Sequence, residues 1–256
     1  MSIKVNDLCF SYGSNEILKS VSFSAEGGEF LSVLGPNGVG KSTLFRCMLG
    51  NLSPSSGSTY IDEKNIADMS ASQLARSIAY IPQSHSPVFN YAVFDMELMG
   101  TPAQMGTFAT PGAAQKEMAR CALERLGIVH LKERGYQNIS GGERQLVLIA
   151  RAIAQQAKIL VMDEPSANLD FGNRIRVMQT VKKLTEDGYT VIQSTHDPDQ
   201  AYLYSDRILA LYDGKVLAWG TPQEIVCNST ISTLYGVDVE VYKLKDDSVR
   251  VCMPSK

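Results

Sequence analysis

The 256-residue sequence predicts an α/β fold: a mostly parallel sheet, an antiparallel β part at the N-terminus and an inserted helical subdomain. Three observations predict it. The apolar runs at 30–34, 159–162 and 189–192 alternate with helical patterns, as buried parallel strands covered by helices do. Residues 2–34 carry β-rich runs punctuated by turn residues. From Pro82 to about Lys158 the chain turns helix-rich.

In chain order, Ile3-Lys4-Val5 and Val21-Ser22-Phe23 are predicted strands, with Gly13-Ser14-Asn15 and Gly27-Gly28 as turns. Phe30-Leu31-Ser32-Val33-Leu34 is a short apolar run that meets Gly35, the pattern of a buried strand. A helix follows from Lys41, and Gly50 stops it. Residues 57–62 read as a strand, and Ser70 caps a short helix that ends before a strand at 78–81. The helix-rich stretch is broken by a Gly/Pro/Thr loop at 100–112. Thr221-Pro222-Gln223-Glu224 is a helix start, with Thr as cap and Pro at the first position. Residues 237–251 read as a small β addition. The expected organisation is therefore a main domain over 1–236, with a helical subdomain at about 84–158, and a β extension over 237–256.

Bulk properties narrow the function classes. The net charge of −3 implies no strongly basic surface, so nucleic acid is not a favoured partner. Five dispersed cysteines without a C-x-x-C pair read as reduced thiols in a cytosolic protein. The three histidines lie far apart, and no histidine or cysteine cluster has zinc-ligand spacing. No signal region and no run of about 18 apolar residues occurs, so a membrane role has to come through a partner.

Gly35-Pro36-Asn37-Gly38-Val39-Gly40-Lys41-Ser42 matches G-x-x-x-x-G-K-[ST] between a predicted strand and a predicted helix. Glycines let backbone N–H groups converge on phosphate oxygens, and the helix adds its free N–H groups and positive dipole end. Lys41 suits the β- and γ-phosphates of a nucleoside triphosphate, and the Ser42 hydroxyl suits magnesium. An ordinary Gly-rich turn explains the glycines but not the lysine and serine at this spacing.

Residues 159–162 end in Asp163 and Glu164. A buried parallel strand delivers its C-terminal residues to the crevice where ligands sit. Asp163 is placed to hold magnesium there, and Glu164 to orient and polarise an attacking water. A solvated acidic turn is the plainer alternative; the phosphate loop in the same chain favours the functional one. Ser140-Gly141-Gly142-Glu143 opens a second helix with a capping box, and its glycine pair leaves room for a phosphate. Two anion-ready helix starts with one evident magnesium acid pair suggest that the second serves a neighbour's nucleotide in a two-copy assembly.

Together these blocks resemble the ATP-binding subunit of ABC transporters, within the P-loop NTPase type of fold. Four carry the resemblance in the family's order: GPNGVGKST at 35–43, Gln83 after Tyr80-Ile81-Pro82, ISGGERQ at 139–145 and LVMDEPSANLD at 160–170. Thr195-His196-Asp197 supplies a switch histidine, and Phe10-Ser11-Tyr12-Gly13 an aromatic for adenine. The resemblance covers about residues 1–225. It implies ATP and Mg2+ as ligands, with Tyr12 on the base and Gly35 through Thr43 on the phosphates. Ser42, Gln83 and Asp163 would serve magnesium, Glu164 would be the general base, and His196 would contact the γ-phosphate. Ser140, Gly141, Gly142 and Glu143 would face ATP bound to the opposite subunit, and Asp170 would couple the two sites. Two departures stand in the signature: Ile139 where Leu is usual and Glu143 where Gln is usual. The helix dipole offsets a carboxylate in the first turn.

The run at 138–155 and the absence of a long C-terminal regulatory domain are similar to importers of iron-siderophore, haem or cobalamin. Those pair a homodimer of ATPases at the cytoplasmic face of the membrane with two integral-membrane permease subunits and a substrate-binding protein. Molybdate or tungstate importers are the runner-up, and a soluble ABC-type ATPase a further class. Against the latter, about 100 residues without sustained heptads separate the phosphate loop from the signature, and there is one cassette. Phe89, Tyr91, Phe94, Met96, Met99, Met105 and Phe108 suit docking to a partner helix or the subdomain's own core, with part of the set doing each.

Overall fold

The structure, a computed structural model, describes residues 1–83, 85, 87–101 and 110–255. The chain starts with β1 (Ile3–Tyr12), β2 (Asn15–Ala25), β3 (Phe30–Leu34), α1 (Lys41–Met48), β4 (Ser56–Ile61) and β5 (Lys64–Asn65). It continues with α2 (Ala71–Ser77), β6 (Ile78–Ile81), α3 (Val93–Leu98), α4 (Ala113–Arg125), α5 (Gly141–Ala154), β7 (Ile159–Asp163) and α6 (Phe171–Glu186). β8 (Thr190–Thr195), α7 (Pro198–Tyr204), β9 (Arg207–Tyr212), β10 (Lys215–Gly220), α8 (Pro222–Ile225), α9 (Asn228–Tyr235), β11 (Val239–Leu244) and β12 (Val249–Pro254) complete it. Two compact units result, one from Met1–Asp68 with Leu184–Lys256, the other Met69–Lys183. Among the described residues no helix is long and apolar enough to cross a membrane.

In the first unit, β3 runs parallel to both β8 and β9, and β10 pairs antiparallel with β9. All five residues of β3 are buried, which is why it reads as a continuous apolar run rather than an alternating one. A separate antiparallel sheet has the order β2-β1-β4-β5. Its first two strands are much longer than the short runs expected. Register shifts between Val5 and Leu8, and positive φ at Asp7 (45°) and Ser20 (56°), interrupt the alternation that marks a strand in sequence. Gly50, with φ 69°, follows the C-cap of α1 as the expected stop.

The C-terminal strands β11 and β12 form a hairpin, and Val239, Val241 and Cys252 pack on a core that contains Leu34, Tyr202, Ile225 and Leu234. The hairpin is thus continuous with the first unit. At the α8 start, the Thr221 N–H and hydroxyl both donate to Glu224 Oε2, at 2.8 and 3.0 Å.

In the second unit β6 and β7 are parallel, and α3, α4 and α5 pack on one another. The unit is wider than the helix-rich stretch, because it takes in α2, β6 and β7 as well. Ser70 caps α2, accepting from the Gln73 N–H at 3.2 Å. Of the aromatic and methionine set, Met96 is fully buried, whereas Phe89, Tyr91 and Met99 are exposed, as is Val88. Met105, Phe108 and residues 102–109 of the expected loop lie outside the described residues.

Glu97 on α3 has no sequence signal. Its side chain is 0% exposed, and neither carboxylate oxygen has a hydrogen-bond partner. Burial raises its pKa well above the ordinary 4.5, against a smaller opposing effect of Arg151. The folded state therefore holds a proton that the unfolded chain releases, so Glu97 makes stability fall as pH rises from about 4.5 through the folded pKa. Glu97→Gln should remove this dependence. Melting curves of variant and parent should coincide at low pH and diverge above it. At neutral pH the variant is the more stable of the two and melts at the higher temperature. Superimposable pH profiles of the two proteins would contradict this.

Candidate nucleotide site

The phosphate loop sits where the buried run of β3 ends. The Gly35 N–H donates to the Thr195 carbonyl at 3.2 Å, which joins the loop's first residue to the end of β8. A Cβ on Gly35 would stand 2.5 Å from the Leu211 carbonyl oxygen, so no larger residue fits. Pro36, Asn37, Gly38 and Val39 continue the turn. Gly40, the N-cap of α1, has φ 110°, a conformation L side chains rarely adopt. No side chain caps this helix, so its first-turn N–H groups, those of Lys41, Ser42 and Thr43, are in position for an anion. Lys41 is 6% exposed, and its Nζ donates to the Gly35 carbonyl at 2.7 Å and the Pro36 carbonyl at 3.1 Å. The ammonium group is thus held over the cradle rather than turned into solvent.

Two more predicted residues lie in this unit. His196 follows β8 directly and is exposed; its carbonyl accepts from the Tyr235 hydroxyl at 2.7 Å. Asp197 caps α7, accepting from the Gln200 N–H at 3.0 Å, and Pro198 takes the first helical position. Tyr12 ends β1 with its ring half exposed and edge-on to Phe10 at 4.8 Å.

The second unit carries the acids. Asp163 closes β7, and the Tyr80 hydroxyl donates to its Oδ2 at 3.3 Å. Glu164, the next residue, has φ 44°. A glutamate in the left-handed region is uncommon and persists only where its surroundings hold it. The Gln83 amide donates to Glu164 Oε2 at 3.4 Å, so the glutamine loop and the acid pair meet within the unit.

The signature lies in the same unit. Ser140 caps α5: its Oγ accepts from the Glu143 N–H at 3.3 Å, and Glu143 Oε2 accepts from the Ser140 N–H at 2.7 Å. That backbone bond, the largest cause, and the contact with the Ser140 hydroxyl keep Glu143 below the usual carboxylate range. The Glu in place of Gln thus serves as the helix's own cap. Asp170 likewise starts α6, accepting from the Asn173 N–H at 2.9 Å, which lowers its pKa. The Asn173 side chain reaches Gly142, where an added Cβ would stand 2.6 Å from it. Asp170, Asn173 and Gly142 form one contact chain, while a Cβ on Gly141 would meet only Leu169, at an ordinary 3.4 Å. Sequence reasoning missed Asn173, Tyr80 and Tyr235. Each is a common residue type marked only by its contact.

A strand, a glycine-rich loop and an uncapped helix carrying Lys41 and Ser42 define a nucleoside-triphosphate-binding protein of the P-loop class. The family model described as ABC transporter matches residues 18–167. An uncharacterized ABC transporter ATP-binding protein of Haemophilus influenzae is 39% identical over 94% of this chain and 92% of its own length. The hemin import ATP-binding protein HmuV of Bordetella pertussis is 34% identical, over 94% of each chain. A solved inward-facing ABC transporter assigned to the metal-chelate type superposes with TM-score 0.88 at 30% identity, covering 100% of this chain and 98% of that one. The chain belongs to the ABC transporter ATP-binding family, and it is an ATPase of the kind coupled to transport.

Proposed function

We propose that this chain is the ATP-hydrolysing subunit of an importer for a metal chelate, of the iron-siderophore, haem or cobalamin type, working as a head-to-tail homodimer. It would act at the cytoplasmic face of the membrane, beneath two permease subunits fed by an extracytoplasmic binding protein. The observation that carries the reading is the pair of anion-ready helix starts. One, at Lys41, has no side-chain cap; the other, at Ser140, is opened by two glycines, and one acid pair, Asp163 and Glu164, stands at the end of a buried strand. The import relatives support the substrate class.

In this reading Tyr12 stacks on adenine, and the N–H groups from Gly35 to Thr43 with Lys41 hold the phosphates. Ser42, Gln83 and Asp163 offer hydroxyl, amide and carboxylate oxygens, hard donors of the kind magnesium takes. Bound there, the ion would neutralise charge on the phosphate oxygens. Glu164 takes the proton of the attacking water, and His196 orients the γ-phosphate. Ser140, Gly141, Gly142 and Glu143 close over the partner's ATP, and Asp170 links the two sites. Val88, Phe89, Tyr91 and Met99 meet a permease helix.

The test is ATPase activity of the chain reconstituted with its permease, against a panel of binding-protein–ligand pairs. The expected result is selective stimulation by one metal chelate. Stimulation by molybdate or tungstate would move the chain to the oxyanion class, and recovery with ribosomes in place of a polytopic membrane protein would overturn the transport reading.

A further inference from the structure

The C-terminal tail has no part in the roles above, yet it is tied to the segment that carries His196. Four contacts make the tie. The Tyr235 hydroxyl, at the end of α9, donates to the His196 carbonyl at 2.7 Å. The Cys252 N–H on β12 donates to Asp199 Oδ1, in the first turn of α7, at 2.9 Å. The Tyr202 hydroxyl on α7 donates to the Asp247 carbonyl in the turn between β11 and β12. Arg250 stands over the Tyr202 ring at 5.1 Å.

This last residue fastens the hairpin itself. Arg250 is 5% exposed, with Nε and Nη2 each 2.7 Å from the two oxygens of Asp247, a forked pair. Its Nη1 donates to the Gln223 and Val226 carbonyls, at 2.8 and 2.6 Å, around the end of α8. The guanidinium holds the Asp247 carboxyl well below the usual range. α9 is joined to β11 by the Val239 N–H on Ser232 Oγ at 3.0 Å and the Val241 N–H on Asn228 Oδ1 at 2.9 Å. Tail, α7 and Leu34, the last residue before the phosphate loop, share one core. So the tail is a braced body, and the exposed loop at His196 is held against it.

We propose that Tyr235 is a positioning residue for ATP hydrolysis, and that α9 and the C-terminal hairpin form the brace that sets the His196 backbone. This rests on the reading of His196 as the γ-phosphate contact. A histidine on a short loop between β8 and α7 swings by rotation about its own peptide groups unless they are held. The Thr195 carbonyl is held from one side by Gly35 and the His196 carbonyl from the other by Tyr235, which removes that freedom before ATP arrives. Holding a reacting group in place acts on turnover more than on binding.

The test uses the full chain and three variants, Tyr235→Phe, Asp199→Ala and His196→Ala. Tyr235→Phe removes one hydroxyl. The expected result is a fall in kcat of about five- to tenfold, with KM for ATP and the melting temperature little changed. The chain has 3 histidines, so their imidazole NMR signals are separable. The His196 signal should move in Tyr235→Phe, and those of His85 and His130 should stay. Asp199→Ala, which cuts the tie to Cys252, gives the same split in kcat and KM and decides the matter if Tyr235→Phe folds poorly. Unchanged kcat, or a fall in kcat with the His196 signal fixed, overturns the proposal. Parental turnover in His196→Ala marks the failure of the γ-phosphate reading instead, and takes the proposal with it.

Discussion

Glu164→Gln should lower ATP turnover by at least about 100-fold, the usual contribution of a general base, and leave ATP affinity nearly unchanged. The substitution keeps the size of the side chain and its ability to meet Gln83, and removes only the capacity to take a proton. The backbone at Glu164 is already in the left-handed region, with φ 44°. The fold therefore spends local strain to aim this residue from the end of β7, and an isostere inherits the aim without the chemistry. Phosphate release and equilibrium nucleotide binding, measured on the same preparation, check the two halves of the statement. Turnover within a few-fold of the parent would remove Glu164 from the role of base.

Lys41→Ala should act one step earlier, on binding, with a loss of ATP affinity of about 100-fold or more. The Lys41 ammonium is nearly buried and already sits 2.7 Å from the Gly35 carbonyl, over the loop that is to receive phosphate. A triphosphate exchanges those carbonyl contacts for charged ones, and charge-assisted bonds in a shielded loop are the strong kind. Alanine keeps the helix, being its best former, and removes the charge. The loss should therefore be seen by nucleotide titration with the melting temperature of the free chain shifted only a little. Retained affinity would mean that the loop does not hold the phosphates.

The chemistry of the site was more legible in the sequence than its mechanics. β3 and the phosphate loop could be read because a strand buried on both faces is a plain apolar run, and because only certain residue types can cradle a phosphate. The α2 and α5 starts were readable from Ser70 and Ser140, since a capping residue acts on its own neighbours. β1 and β2 were underestimated because their bulges, with Asp7 and Ser20 at positive φ, hide the alternation. The conformation of Glu164 could not be read, as glutamate, unlike glycine, asparagine or aspartate, does not advertise positive φ in a sequence. Glu97 carries no local signal of its burial, which comes with the packing of α3 on α4 and α5. The tie from Tyr235 to His196 joins residues 39 positions apart, and no local pattern encodes it.

Complementation between two inactive chains tests the proposed head-to-tail dimer directly. Lys41→Ala spoils the phosphate loop. Gly141→Asp puts a carboxylate at the second helix start, where an added Cβ meets only Leu169 at 3.4 Å and an acid in the first turn suits the helix dipole. Each variant alone should be folded and without turnover. Mixed in equal amounts and allowed to exchange subunits, they form dimers in which one composite site keeps both an intact Lys41 and an intact Gly141. Activity should return, to about a quarter of the parent's for random pairing and independent sites. A mixture as inactive as its components, with subunit exchange demonstrated, would contradict the account.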